Sequence, residues 1–327
     1  MNKTLGIAIA LGLVLGASAC GGGRDGGDQA GGAPAGTAES ELAGRVEADG
    51  SSTVGPFTTA AAEAFGREHP DVRVTVGISG TGGGFERFCR GETDLSNASR
   101  PIKDEEVELC EQNGVEFVEF HVVNDGLAVV VNPENDWVDC FTVEQLNAIW
   151  KPGSKIDNWS DVPGGDFPDQ PMTLAGPGTD SGTFDYFTET VNDEGGASRS
   201  DYQASEDDNV IVQAVSGSEG GLGYFGLSYV QENEGRIKAV PIENEAGECV
   251  GPSTETVQDG SYNPLGRPLF IYAKTASFER PEVQAFIQYL LDNNQQIAET
   301  ALYVPLTEEQ LAEAQSSLDE ALAGVGS

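Results

Sequence analysis

Gly176-Pro177-Gly178-Thr179-Asp180-Ser181-Gly182-Thr183-Phe184-Asp185-Tyr186-Phe187 is the stretch on which the reading of this chain turns. Two glycines and a proline exclude regular structure up to Gly178, after which Phe184, Phe187 and Val191 recur at helical spacing. A loop delivering hydroxyls to a helix start is predicted. The first backbone N–H groups of a helix have no partners inside it, and with the helix dipole they attract negative charge. Small residues let an oxyanion come close, and Thr179, Ser181 and Thr183 add donors. Ser, Thr and Asp also cap helices that bind nothing, so one such loop does not establish an anion site.

The pattern recurs. Asp49-Gly50-Ser51-Ser52-Thr53-Val54 precedes a helix carried by Phe57, Ala60, Ala61, Ala64 and Phe65. Val72, Val74, Val76 and Ile78 alternate as a half-buried strand that runs into Ser79-Gly80-Thr81-Gly82-Gly83-Gly84, ahead of a helix near Phe85. A short strand from Leu95 delivers Arg100 just before Pro101. Val115 to Val123 and Leu127 to Val131 read as two strands interrupted by Asn124-Asp125-Gly126. Thr142 caps a helix from Val143 to Trp150, and Gly195 to Tyr202 carries Arg199. Val210 to Val215 starts another helix, Gly221 to Phe225 and Arg267 to Tyr272 read as strands, and Pro281 opens the last long helix. Strands and helices that alternate throughout imply α/β architecture, with Arg100 and Arg199 as candidate anion ligands.

At 327 residues the chain suggests two lobes. Lys3 precedes an apolar run from Leu5 to Ala19 that is short for a membrane span, and the run ends in Ala17-Ser18-Ala19-Cys20. Small residues before a cysteine resemble the lipobox of bacterial lipoproteins. Residues 1–19 are thus expected to be a signal peptide, Cys20 a lipid-modified (palmitate-bearing) N-terminus at the outer face of the membrane, and residues 20–44 a flexible tether. Four cysteines remain, an even number in an oxidising compartment, so two disulfides are expected. Three connectivities are possible; nearness in sequence favours Cys89 with Cys110, leaving Cys140 with Cys249. Zinc is the competing use of four cysteines, but no C-x-x-C pair occurs and both histidines stand outside ligand spacing.

The net charge is −37, from 54 acidic and 17 basic residues. Nucleic-acid binding needs basic stripes that neutralise phosphates, so that partner is excluded. Any anion site must work through local dipoles and one or two arginines against an unfavourable overall field. Asp180-Ser181-Gly182 admits a serine-type or phosphoester hydrolase using Ser181. A triad, however, needs a histidine base, and only His69 and His121 exist. No Gly-x-Ser-x-Gly elbow and no Gly-Lys-Ser or Gly-Lys-Thr P-loop is present. Repeated anion cradles without a base, metal or cofactor point to binding without chemistry.

The motifs from Asp49 to Val54, Ser79 to Phe85, Gly91 to Pro101, Gly176 to Thr183 and Arg199 to Tyr202 together resemble the phosphate-binding lipoproteins of bacterial ABC transporters, the PstS family. The resemblance runs from about Val46 to Leu306. It implies a two-lobed periplasmic-binding-protein fold of type II, with lobe 1 from residues 45–127 and 269–327 and lobe 2 from residues 128–268. Two chain crossovers, near Asn124 to Val131 and Pro264 to Ile271, would flank a cleft that traps inorganic phosphate for delivery to a membrane permease. It further implies Ser52, Thr53, the Val54 N–H and Ser79 as ligands from one lobe, and Ser181, Gly182 and Thr183 from the other. Two positions depart from the family pattern: Pro177 stands where many members carry an arginine, and Arg100 where many carry an aspartate. Arg100 is then the expected cationic ligand, with Arg199 second. The aspartate that accepts the phosphate proton, and so rejects sulfate, has no evident replacement; Asp125, Asp180 and Asp185 are the candidates. A binder of sulfate or another tetrahedral oxyanion remains the alternative.

Overall fold

The structure, a computed structural model, describes residues 42–179 and 181–325. Cys20, the expected signal peptide, most of the expected tether and Asp180 lie outside the described residues. The chain begins with β1 (Gly44–Gly50), α1 (Gly55–Glu68), β2 (Val72–Val76), α2 (Gly80–Cys89), β3 (Leu95–Ala98) and α3 (Asp104–Gln112). β1 pairs in parallel with β2 and β3, and parallel neighbours need a crossover helix between them. Pro56 occupies the first turn of α1, where a missing N–H costs nothing. Phe57, Ala61 and Phe65 then recur at four-residue intervals on its buried side, and Phe65 meets Phe286 edge-on at 5.4 Å. Ile78, expected in a half-buried strand, lies beyond β2 and is 57% exposed.

β4 (Phe117–Val131) leads to α4 (Val143–Trp150), β5 (Thr173–Gly176), α5 (Gly182–Asn192), β6 (Gln203–Ala204), α6 (Asp208–Ser216), β7 (Gly221–Gly226) and α7 (Leu227–Glu232). The short pieces β8 (Lys238–Ala239), β9 (Ile242–Glu243), β10 (Cys249–Val250) and α8 (Thr254–Gln258) precede β11 (Gly266–Lys274). The chain closes with α9 (Pro281–Asp292), α10 (Asn294–Thr300) and α11 (Glu308–Val325). Nine strands make one sheet in the order β2-β1-β3-β11-β4-β7-β5-β6, with β8 on β4.

Two findings differ from the sequence reading. β4 is one 15-residue strand and not two. The reason is tertiary: β11 runs antiparallel past the supposed interruption, with Pro268, Arg267 and Gly266 opposite Asn124, Asp125 and Gly126, so the ladder satisfies a backbone whose side chains read as a turn. α11 was also unread, because Ala314, Leu318 and Ala321, which pack it on the core, are outnumbered by Glu, Gln and Ser.

β4 therefore belongs to two halves: residues up to Gly126 pair with β11, and Leu127 to Val131 pair with β7. Each half has its own core. One is built on Phe57, Phe65, Phe286 and Ile287, with a satellite of Phe85, Phe88 and Tyr272; the other is built on Trp150, Trp159, Phe187 and Tyr224. Phe187 stacks on Tyr224 at 3.7 Å, and Trp150 meets both rings edge-on at 5.8 and 5.0 Å. Disulfides join Cys89 to Cys110 and Cys140 to Cys249, the pairing that nearness in sequence favoured.

The N-terminus of α6 carries a testable pH dependence. Burial pushes the Asp208 carboxyl up to about 6, and the adjacent Asp207 and Glu206 charges add to the shift. A carboxyl raised in the folded state contributes stability below its unfolded pKa and loses that contribution as pH rises through about 6. Asp208→Asn is therefore expected to stabilise the protein at pH 7 by about 1 kcal/mol, or ~2 °C in Tm, after allowance for solvent screening and the helix N-terminus. Thermal unfolding at pH 7 and pH 4 checks this: the gain should vanish at the lower pH, and a gain that persists there would refute it.

Candidate functional site

In open α/β sheets, ligands gather beyond the carboxyl ends of the strands. Here those ends deliver Ser51 to Thr53 after β1, Gly80 to Gly82 after β2 and Ser99 with Arg100 after β3. Two glycines allow the convergence. Gly50 has φ +140°, and a Cβ on it would lie 2.2 Å from Asn97 O; a Cβ on Gly84 would lie 2.5 Å from Gly50 Cα. Only glycine allows α2 to start this close to the end of β1. From the other half α5 contributes Asp185, Tyr186 and Glu189, and Arg267 comes from β11, at the join between the halves. Together they enclose a cavity of about 290 Å³ between the halves.

Charge distinguishes this cavity. Three larger grooves, of about 560, 620 and 490 Å³, are lined by carboxylates and by no lysine or arginine. The smaller cavity alone among these four has cations, Arg100, Lys103 and Arg267, alongside Asp185 and Glu189. Its hydroxyls already have partners. Ser51 Oγ accepts the Thr53 N–H at 3.1 Å and the Val54 N–H at 3.4 Å. Ser52 Oγ donates to Asp185 Oδ2 at 3.2 Å, a bond between the two halves. Thr81 Oγ1 and Ser99 Oγ lie 3.0 Å apart, and Thr81 Oγ1 also accepts the Ser99 N–H at 3.2 Å.

The two arginines at the cavity are held differently. Arg100 makes a bidentate pair with Glu106, both N···O distances being 2.8 Å, and also donates to Pro101 O at 3.0 Å. Burial opposes ionisation of Glu106, but hydrogen bonds from Arg100 and the Lys103 N–H outweigh it and hold the carboxyl below its ordinary range. Arg267 has looser partners. Its Nη1 donates to Ser99 O at 3.3 Å and its Nη2 to Thr53 Oγ1 at 3.2 Å, while Nε stands 3.6 Å from Asp125 Oδ2 and has no hydrogen bond. Its guanidinium carbon lies 3.4 Å from the centre of the Tyr186 ring, within cation–π range. Burial raises the Asp125 carboxyl pKa, an effect that Arg267 partly offsets.

Of the expected ligands, Ser52, Thr53 and Arg100 line the cavity. Gly182 packs across from Thr53, since a Cβ on it would lie 3.2 Å from Thr53 Cα. Ser181 Oγ turns to its own helix and accepts the Thr183 N–H at 3.2 Å. Val54 is buried behind the loop. Ser79 faces away, with Oγ donating at 2.7 Å to Asp49, which also pairs with Arg87; its neighbours Gly80 and Thr81 take the cavity position. Arg199 does not reach the cavity. It is 5% exposed, its Nη1 donates to Ile149 O at 3.0 Å and Ile156 O at 2.7 Å, and its other nitrogens hold Asp201. Arg199 serves the last turn of α4, where carbonyls lack helical partners.

Arg267 is the main cavity residue that the sequence reading does not single out, whereas Asp185 is one of its three candidate proton acceptors. Arg267 sits within an apolar strand, and no local signal marks it. Asp185 does carry one, since it follows Ser181 by four residues and so shares its helix face. Among the described residues neither histidine is placed to serve Ser181. His121 Nε2 pairs with Asn124 Oδ1 at 2.9 Å, His69 packs against Phe65, and neither lines the cavity.

Two α/β halves joined through shared strands, with a polar, arginine-bearing cavity between them, define a solute-binding protein of the periplasmic-binding-protein class. The PBP superfamily domain matches residues 35–294. The protein SphX of Synechococcus elongatus is 46% identical over 80% of this chain and 77% of its own length. The phosphate-binding protein PstS of Staphylococcus saprophyticus is 40% identical over 96% of this chain and 92% of its own. The crystal structure of a possible phosphate-binding protein from Planctomyces limnophilus superposes with a TM-score of 0.83 at 46% identity, covering 86% of this chain and 99% of that one. This chain belongs to the PstS/SphX family of solute-binding proteins.

Proposed function

We infer that this protein captures inorganic phosphate in the cleft between its lobes and passes it to the permease of a phosphate ABC transporter. The observation that carries the reading is the 290 Å³ cavity, in which Arg100, Lys103 and Arg267 meet the hydroxyl-bearing loops after β1, β2 and β3, with Asp185, Tyr186 and Glu189 of α5 opposite. Its polarity and cations suit a small tetrahedral oxyanion, and a relative along nearly the whole chain is a phosphate-binding protein. Ser52, Thr53, Thr81 and Ser99 are assigned as donors from lobe 1, where Thr81 replaces the expected Ser79. Gly182 and the Ser181 and Thr183 groups close from lobe 2, as supported by the approach of Gly182 to Thr53. Lobe 1 is taken as residues 45–127 and 269–327 and lobe 2 as residues 128–268, a division supported by separate cores around Phe57 and Phe286 and around Trp150 and Tyr224, although Leu127 and Val304 pack in the second.

Lobe closure would bury the anion and present a closed form to the permease. Among the described residues no helix is long and apolar enough to cross a membrane, and attachment to the outer face of the membrane is assigned to lipidated Cys20. Calorimetric titration of the mature domain with phosphate and with sulfate near neutral pH tests the reading. Saturable heat with phosphate, much weaker with sulfate, is expected. No saturable heat with phosphate would sink the proposal, and phosphoester turnover abolished by Ser181→Ala would favour a hydrolase instead.

A further inference from the structure

We propose that Arg267, the arginine of the hinge strand β11, is the principal cationic ligand of the bound anion and couples its capture to closure of the lobes. The inference rests on the oxyanion-binding reading above and replaces Arg100 as the chief charge.

Competition between partners supports the choice. An anion that recruits Arg100 must displace or share two 2.8 Å bonds to Glu106, a carboxylate held ionised by that same arginine. Charge-assisted bidentate pairs are among the strongest hydrogen bonds in proteins, so Arg100 is largely committed. Arg267 is not. Its Nη groups make long bonds to a neutral hydroxyl and a carbonyl, its Nε has no hydrogen bond, and its carboxylate neighbour Asp125 stands at 3.6 Å. A phosphate oxygen in the cavity can replace the Thr53 and Ser99 bonds at small loss.

Position supports the coupling. Arg267 lies directly opposite Asp125 in the ladder between β11 and β4, the two strands through which the halves are joined. Its guanidinium edge touches Thr53 and Ser99 of lobe 1, and its flat face lies on Tyr186 of α5 in lobe 2. Tyr186 is itself pinned, its hydroxyl donating to Pro264 O at 2.6 Å. One side chain therefore contacts hinge, lobe 1 and lobe 2. An anion that draws the guanidinium into the cavity fixes the surface on which α5 settles.

The test compares Arg267→Met, the double variant Asp125→Asn/Arg267→Met, Arg100→Ala and Tyr186→Leu with the wild type. The double variant removes both charges of the pair, so it avoids an uncompensated buried carboxylate that could unfold Arg267→Met alone. Phosphate affinity by calorimetry is expected to fall at least 100-fold in both Arg267 variants and less than about tenfold in Arg100→Ala. Tyr186→Leu should bind about tenfold more weakly and, at saturating phosphate, lose at least half of the phosphate-dependent protection of residues 182–188 from hydrogen exchange. Affinity of the double variant within threefold of wild type, or a greater loss in Arg100→Ala, overturns the ligand assignment. Unchanged protection in Tyr186→Leu overturns the coupling. If wild type binds sulfate and not phosphate, the phosphate reading fails and the same series with sulfate decides the inference; silence to both anions overturns both.

Discussion

Replacing Asp185 by asparagine is expected to lower the preference for phosphate over sulfate by about a thousandfold. At neutral pH phosphate still carries a proton and sulfate carries none. A carboxylate facing the cavity can accept that proton in a hydrogen bond, but it meets the sulfate oxygens as unpaired like charge. Sites built around a polar partner reject analogues lacking it by about 10⁴ or more, because the buried group is left unpaired. Asp185 stands in the first turn of α5, lines the cavity, and accepts the Ser52 hydroxyl at 3.2 Å. Asp125, the other described candidate, is occupied by Arg267. Asparagine keeps an acceptor oxygen of similar shape and loses the charge, so phosphate should weaken by about 10- to 100-fold while sulfate gains. Paired titrations of wild type and Asp185→Asn give the ratio directly. A change below tenfold would move the acceptor to Glu189 or to Asp180.

The second large effect concerns the disulfides, whose ranking separates chain entropy from packing. Loop closure alone assigns about 5 kcal/mol to Cys140–Cys249, with a sequence separation of 109, and about 3 kcal/mol to Cys89–Cys110, with a separation of 21. Burial offsets the advantage. Cys249 is exposed and Cys140 half-buried, so serines there remain hydrated. Cys89 and Cys110 are both fully buried among Phe85, Phe88 and Tyr272, and two serines at that place would bury hydroxyls at a further 1–3 kcal/mol. Denaturant unfolding of the two double serine variants should show a loss of about 4–6 kcal/mol at the shorter loop, comparable to the loss of about 5 kcal/mol at the longer one. A clear excess at Cys140–Cys249 would show that chain entropy dominates.

Regular elements were legible where local pattern and tertiary role agree. α1 and α4 carry apolar residues at helical spacing and their own start signals, Pro56 and Thr142, and the disulfide pairing followed nearness along the chain. The break assumed at Asn124-Asp125-Gly126 failed because turn-forming side chains sit in a strand whose backbone is satisfied by β11, 140 or so residues away. Ser79 was read as a ligand and Thr81 was not, since a Gly- and Ser-rich loop does not reveal which hydroxyl faces inward; Asp49 and Arg87 decide that by claiming Ser79.

The hydroxyl loop ahead of Thr183 opens α5, whose Asp185 lines the cavity while Ser181 caps the helix. The site's kind of chemistry, oxyanion binding without a base, was written in residue types and their order: glycines, hydroxyls and helix starts repeated along an acidic chain. Which cation serves that site was not. Arg100 and Arg199 look alike in sequence, yet one is committed to Glu106 and the other to the carbonyls of α4, while Arg267 is inconspicuous in its apolar strand. A guanidinium's availability depends on the partners folding places around it, and those partners come from strands and helices far apart in the chain.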